Sequence, residues 1–448
     1  MDTPILENCY KKDGFEFIII SGRRRIGKSR LVEEFTKDKC SIYLLCENRP
    51  YIYNVKKFAR AISEFFGLPK IELNSLRDCF EFIISMHKVN EKLIIVIDEF
   101  SYLVKQNDEV VAEMQGIVDE ILSNRNIMLI LSGSAVSIMQ KDLLSYSSPL
   151  YGRTTVNLML KPLKFSNLFE WFPKTDIETL LKVFSVTDGI PKYLEFFQGK
   201  NIENEIKENL FNPHSFLFRE MIQILSEELR NPGLYMSILE AISKGKNRVT
   251  EIANYAYIEA KETVAYLNIL QNIGLVKRIL PLFGKRGFYE ITDNYTRFWF
   301  RFVSPYYSEI EEGFSQNAFH DFKKNFNTYL GRIFEDLVSK LVQQGKIKLP
   351  ITYTKIGKWW HKNMEIDIVA LNEKTKEILF AECKWQSKVN AKKIAKELAE
   401  KSQYVQWHNE ERKEYFAIFA KSFKEKIEEF EGRKVYCFDL KDLEGFMK

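Results

Sequence analysis

The chain has 448 residues, with 66 Lys and Arg, 61 Asp and Glu, and a formal net charge of +5. At roughly 150 residues per domain, this length suggests about three domains. A content of 45% hydrophobic and 28% charged residues excludes a largely disordered chain, and a total of +5 does not by itself argue for nucleic acid.

The first 160 residues alternate short apolar runs with amphipathic stretches. The strand candidates are Phe15–Ile20, Ser41–Cys46, Leu93–Ile97 and Met128–Leu131, with Thr154–Leu163 as a fifth. Nearly all-apolar runs are expected of parallel strands covered on both faces. Helical stretches between them predict an α/β sheet with crossover connections. From about 165 to 230 the pattern is helical, broken at Asp188-Gly189-Ile190-Pro191. Asn231-Pro232-Gly233 is a strong turn and a boundary. Helices are then predicted at Leu234–Ser243, Val249–Tyr257 and Lys261–Asn272. The runs Leu275–Leu282 and Phe288–Thr292 follow, on either side of Gly284-Lys285-Arg286-Gly287. This order of three helices and a hairpin resembles a winged helix. Residues 304–325 read as a polar connector. Beyond them come a helix (Leu330–Gln343), strands (Ile366–Leu371 and Ile378–Cys383), a charged helix (Ala391–Trp407) and strands at Tyr415–Phe419 and Val435–Phe438.

One motif is complete. Gly22-Arg-Arg-Arg-Ile-Gly27-Lys28-Ser29 fits G-x-x-x-x-G-K-[ST] between an apolar strand and an amphipathic helix, which is the context this motif requires. Gly22, Arg23, Arg24, Arg25, Ile26, Gly27, Lys28, Ser29 and Arg30 form the expected nucleotide-binding set. The glycines let backbone N–H groups wrap phosphates at a helix N-terminus. Lys28 would neutralise the β and γ oxygens of ATP, and Ser29 would ligate Mg²⁺. Leu93–Ile97 ends in Asp98-Glu99, at the sheet edge where nucleotides sit. Asp98 would complete the Mg²⁺ shell and Glu99 would polarise the attacking water. The next strand ends in Ser132-Gly133-Ser134, where a hydroxyl could sense the γ-phosphate; Ser132 is taken for that role, with the choice between the serines open. Arg153, in Tyr151-Gly152-Arg153, could supply transition-state charge in cis or from a neighbour in a homo-oligomer. The basic run Arg23–Arg25 fits a nucleotide-adjacent loop better than a nucleic-acid patch.

These motifs, with Leu150-Tyr-Gly-Arg153 and the Asp188–Pro191 break, resemble the archaeal-type AAA+-like ATPases related to STAND and ORC proteins, over about residues 12–300. The resemblance implies ATP, Mg²⁺ and a helical lid that reports nucleotide state to the winged helix. Relatives usually carry a longer N-terminal element whose Arg-Glu pair helps seat the adenine; here about ten residues precede the first strand.

The C-terminal part carries a second constellation. Asp367 heads an apolar strand, and Glu382 and Lys384 form E-x-K on the next. Strand periodicity puts Glu382 and Lys384 on one face. Glu335 lies upstream on a helix. Asp367 and Glu382 could hold Mg²⁺ that activates water, with Glu335 completing the shell or holding an outer-shell water, and Lys384 orienting the water or stabilising the charge at phosphorus. The ordered set resembles the PD-(D/E)XK nuclease fold over about residues 326–448. That resemblance implies an αβββαβ core, a restriction-endonuclease-like α/β domain. Ile366 stands where the family pattern has Pro. The Trp359-Trp360-His361 run could stack on bases, though packing explains it more simply.

The expected organisation is therefore a P-loop ATPase core (1–163), helical lid (164–230), winged helix (231–303), connector (304–325) and nuclease-like domain (326–448). Charge is uneven along it. Residues 321–448 carry 26 basic and 20 acidic side chains, whereas residues 1–230 carry 30 and 32. DNA is the expected partner at the C-terminal domain; the Lys285-Arg286 hairpin tip could also contact phosphate, or the winged helix could serve as a structural lid. Among six cysteines there is no CxxC pair, which argues against structural zinc and for free thiols in a reducing compartment. The chain start lacks signal-peptide features and no apolar run is long enough to span a membrane, so a cytoplasmic protein is expected. The function these features suggest is an ATPase acting on DNA, its nucleotide state gating a Mg²⁺-dependent nuclease-like domain. The alternative is a regulatory switch whose nuclease-like domain only binds DNA or protein.

Overall fold

The computed structural model of the chain describes residues 3–87, 91–135, 138–284 and 287–447. The chain forms two compact units, Met1–Pro162 and Leu163–Lys448.

The first unit is built on five strands: β1 (Glu16–Ser21), β2 (Ser41–Leu45), β3 (Leu93–Asp98), β4 (Ile127–Gly133) and β5 (Val156–Met159). All pairings are parallel, in the order β2-β3-β4-β1-β5. Every residue of β1, β3 and β4 is buried, and their side chains alternate between two cores. Phe17, Ile19, Ile95, Ile97, Leu129 and Leu131 face one, where Phe58 and Phe80 of the Tyr51–Phe66 and Leu76–Met86 helices cover them. Ile18, Ile20, Val96 and Ile130 face the other, under Leu6 and Cys9 of the Thr3–Tyr10 helix and Val32 and Phe35 of the Lys28–Thr36 helix. Burial on both faces explains why these strands read as unbroken apolar runs. The segment before the first strand, expected only as a short lead-in, is thus a helix that closes one face of the sheet.

In the second unit, helices at Ile177–Thr187, Ile202–Leu210 and Phe216–Glu228 precede helices at Pro232–Ser243, Val249–Ala256 and Ala260–Asn272. The antiparallel pair β6 (Val276–Ile279) and β7 (Phe288–Ile291) follows. A 28-residue helix, Gln316–Gln343, comes next. It begins inside the stretch read as a connector. The reason is visible in the spacing: Phe319, Phe322, Phe326 and Tyr329 recur at intervals of three and four and pack in one aromatic row, with Phe322 and Phe326 4.6 Å apart. Scattered aromatics in a polar segment were one face of a helix. Arg297, buried, pins this helix by an ion pair to Asp336 at 2.7 Å.

The remaining strands are β8 (Lys355–His361), β9 (Met364–Asn372), β10 (Glu377–Lys384), β11 (Val389–Asn390), β12 (Lys413–Ala420), β13 (Phe423–Glu425), β14 (Glu429–Phe430) and β15 (Arg433–Phe438). Six make one mixed sheet in the order β14-β15-β12-β10-β9-β8. The β8-β9-β10 meander is antiparallel, whereas β12 pairs parallel with β10. The helix between β10 and β12, Ala391–Ser402, ends five residues short of the expected Trp407. Counting only strands of this six-stranded sheet, and so leaving out the two-residue β11, the order beginning with Gln316–Gln343 is α-β-β-β-α-β. One face of the sheet joins a buried cluster running from Phe165 to Met447, so the helical segments, the hairpin and this sheet share a core.

Candidate functional sites

The first site lies at the C-terminal edge of the parallel sheet. The loop after β1 turns with Gly22 at φ +152°, where a Cβ would come within 2.7 Å of the Leu160 carbonyl oxygen, and Gly27 at φ +92°. Both positions therefore require glycine. Lys28 is buried at the start of its helix, and its Nζ donates to the carbonyls of Gly22 at 2.9 Å and Arg23 at 3.0 Å. Arg24 donates to the Tyr102 hydroxyl at 2.6 Å, and Arg30 is exposed beside Glu34. Ile26 is buried.

Asp98 is the hub. It is 1% exposed. Its Oδ2 accepts hydrogen bonds from Ser29 Oγ at 2.7 Å and from the Tyr43 hydroxyl, and its Oδ1 accepts from Ser132 Oγ. Burial, and the hydrogen bond to Asp98, push the Tyr43 phenol well above its ordinary range. Glu99 stands next to it at φ +55°, and its Oε2 accepts from Ser134 Oγ at 2.7 Å and Ser134 N–H at 3.2 Å. The two serines thus divide the work: Ser132 holds Asp98 and Ser134 holds Glu99. Arg153 makes a bidentate pair with Asp119 at 2.7 and 2.8 Å and donates to the Pro149 carbonyl. In this arrangement its guanidinium is engaged away from Asp98.

One buried carboxylate, one serine hydroxyl and a glycine loop at a helix N-terminus fit a nucleotide with Mg²⁺, because Mg²⁺ is usually held by one or two carboxylates together with substrate phosphates. Tyr43 is the residue sequence reasoning missed. It sits on β2, opposite Val96 of β3, and only the strand order brings its hydroxyl to Asp98.

The second site lies in the second unit, at one end of β9 and β10. Glu382 is 1% exposed; Lys384 reaches its Oε2 at 2.5 Å and Lys401 its Oε1 at 2.6 Å. Asp367 is buried and accepts the Cys383 N–H at 2.7 Å. Glu335, on the long helix, pairs with Lys358 of β8. Burial, then the charges of Glu335 and Glu382, push the Asp367 carboxyl well above its ordinary value. Burial likewise raises Glu335, with Lys358 opposing. Burial works against the Lys384 ammonium, but Glu382 outweighs it, so Lys384 is raised.

The expected metal set needs correction here. Glu335, Asp367, Glu382 and Lys384 do line one cavity. Yet among the described residues no group of three or more His, Cys, Asp or Glu is placed to hold a metal ion. The physical reason is local: lysine ammoniums occupy both oxygens of Glu382 and the carboxylate of Glu335, compensating charge that a cation would otherwise meet. As arranged, this donor set does not fit Mg²⁺. Lys358 and Lys401 escaped notice in the sequence because a Lys/Glu-rich segment gives no sign of which lysine is turned inward. The Lys285-Arg286 tip lies outside the described residues.

Comparison with known proteins follows the same division. The chain is 37% identical to an uncharacterized protein of Methanocaldococcus jannaschii, MJECL04, over 98% of each chain. The chain belongs to that protein's family. Residues 4–197 match a family described as an ATPase domain predominantly from Archaea, and residues 299–394 match one described as archaeal and bacterial proteins of unknown function. The N-terminal part is an archaeal-type P-loop ATPase domain, and ATP binding and hydrolysis go with it. In fold, the chain is similar to the Walker-type ATPase PABY2304 of Pyrococcus abyssi, with a TM-score of 0.50 and 22% identity over 67% of this chain and 94% of that one. A looser likeness, TM-score 0.42 at 14% identity, is to the ORC2 protein of Aeropyrum pernix, over 70% of this chain and 93% of that one. Among the described residues no helix is long and apolar enough to cross a membrane.

Proposed function

We propose that this ATPase acts on DNA, its nucleotide state gating a C-terminal nuclease-like domain. The observation that carries the ATPase half is the convergence of Ser29, Tyr43 and Ser132 on Asp98 at the sheet edge. With ATP bound, the Lys28 ammonium leaves the loop carbonyls for the phosphate oxygens. Ser29 and Asp98 would hold a Mg²⁺ that, when bound, supplies charge neutralisation at the phosphates. Glu99, fixed by Ser134, orients the attacking water, and Ser132 couples the γ-phosphate to β4. The helical segments after residue 163 act as the lid, and the three helices with β6 and β7 as a winged helix.

The nuclease-like reading is supported by the α-β-β-β-α-β order and by Asp367, Glu382 and Lys384 meeting at one cavity. No metal-dependent step is written for it, because both Glu382 oxygens are taken by lysines. That same observation favours a second reading, in which this domain binds DNA without cutting it.

One experiment separates the readings. Wild type, Lys28→Ala and Asp367→Ala are incubated with supercoiled plasmid, ATP and Mg²⁺ or Mn²⁺. Nicking by the wild type that Asp367→Ala loses supports the nuclease. Equal nicking by both, or none by either, leaves DNA binding alone. ATP hydrolysis retained by Lys28→Ala would overturn the ATPase assignment.

A further inference from the structure

The cavity that contains Asp367 and Glu382 is not built from the C-terminal sheet alone. Its volume is about 760 Å³, and its wall includes Arg248 and Phe288 from the three-helix-and-hairpin segment as well as residues of the long helix and of β8 to β10. The hairpin is fastened there. The Leu282 N–H donates to the Lys358 carbonyl at 2.9 Å, and Leu282 and Phe283 pack against the core under the sheet. Beside this junction the half-buried rings of Phe288 and Trp360 meet at 5.0 Å, tilted by 57°. Trp360 shares strand parity with Lys358, whereas Trp359 is buried in the core. Both tryptophans border the cavity: Trp359 packs in the core beneath it, and Trp360 is half-buried with its ring against Phe288.

Opposite chemistries border this space. The aromatic pair gives an apolar π surface. Exposed Arg248 and Lys362 give positive charge, Arg332 adds a guanidinium that also pairs with buried Glu290, and the carboxylates of Glu335, Glu365 and Asp367 give hydrogen-bond acceptors. A cavity of this size suits a small organic group rather than the cross-section of a duplex. Aromatic faces stack on any base, and cations follow the backbone phosphate.

We propose that this cavity takes one unpaired nucleotide of a DNA strand, its base on Trp360 and Phe288 and its phosphate towards Arg248, Arg332 and Lys362. The proposal rests on the DNA reading above and narrows it: the C-terminal site selects single-stranded or frayed DNA over intact duplex. The hairpin contributes to specificity by supplying half of the stacking surface, so its place is at the substrate rather than in a groove of distant duplex.

The test uses the full-length protein and fluorescence anisotropy with a labelled single-stranded oligonucleotide and a blunt duplex of the same sequence. Wild type is expected to bind the single strand at least about tenfold more tightly. Trp360→Ala should weaken single-strand binding by roughly 5- to 150-fold, the range set by loss of one base stack. Trp360→Phe, which keeps a ring, should recover most of it, and thermal melts of both variants separate lost stacking from lost folding. Duplex bound as tightly as single strand overturns the proposal and leaves the DNA reading standing. So does a folded Trp360→Ala protein with unchanged single-strand affinity. Binding to neither DNA form overturns the DNA reading and the proposal together.

Discussion

Two buried carboxylates, Asp98 in the first unit and Glu382 in the second, are each 1% exposed and each sit at or near the end of an interior strand. Their surroundings differ in kind. The Asp98 carboxylate accepts hydrogen bonds from the hydroxyls of Ser29, Tyr43 and Ser132. Glu382 receives two ammonium groups, from Lys384 and Lys401. Hydroxyls orient a carboxylate and leave its charge in place, so the first site is suited to a cation that arrives with substrate. Ammoniums compensate the charge, so the second is settled before anything binds. The same residue type at the same kind of strand end thus signals different chemistry, and the donors decide which.

The comparison breaks most sharply at Lys401. Lys401→Met leaves one buried oxygen of Glu382 without its ammonium, and urea unfolding should show a loss of about 1.5–3 kcal/mol, the cost of a hydrogen bond to a charged group with one partner part-exposed. A loss under about 0.5 kcal/mol would mean the ion pair is not structural. On the other side, Tyr43→Phe removes one hydroxyl from Asp98, and about 1.5 kcal/mol of stability should go with it. ATP hydrolysis should persist with an altered Mg²⁺ dependence, measured as the metal concentration giving half-maximal rate. An unchanged metal dependence would place Tyr43 outside the site's working groups.

The smallest effect is in pH. Because burial and the neighbouring carboxylates raise the Asp367 carboxyl above its ordinary 3.8, its protonated form is favoured by folding. The stability it contributes is fully present below that ordinary value and is lost as pH rises through the raised one. Asp367→Asn keeps an acceptor for the Cys383 N–H but cannot ionise. It should be more stable than wild type at neutral pH, with the difference closing towards pH 4. Parallel stability curves for the two proteins would contradict the assignment.

How much of this was legible in the sequence follows from what each signal needs. The strands β1 to β4 and the phosphate loop were readable because burial on both faces leaves unbroken apolar runs and because Gly22, Gly27, Lys28 and Ser29 act within one loop. Asp98 and Lys384 were readable as strand-end residues, whereas Asp367 and Glu382 lie inside β9 and β10. Tyr43 was not, since its role depends on β2 lying beside β3 and a tyrosine in a strand looks like packing. Lys358 and Lys401 were not, since a cation's partner across the fold leaves no local mark. The long helix starts at Gln316, 14 residues before the Leu330 that the sequence suggests, because polar residues between its aromatics hide a helical spacing. The hairpin strand was expected to run to Leu282 but stops at Ile279, after which Leu282 gives its N–H to Lys358 instead.

That last hydrogen bond also bears on solubility. Strands at the margin of a sheet offer unpaired backbone groups to any other chain that approaches, and proteins limit this by shortening or covering them. The six-stranded sheet ends on one side in β14, only two residues long, and on the other in β8, seven residues long. The longer margin is the one on which Leu282 is seated. Cutting the hairpin away would therefore expose this margin of β8 to pairing with another chain.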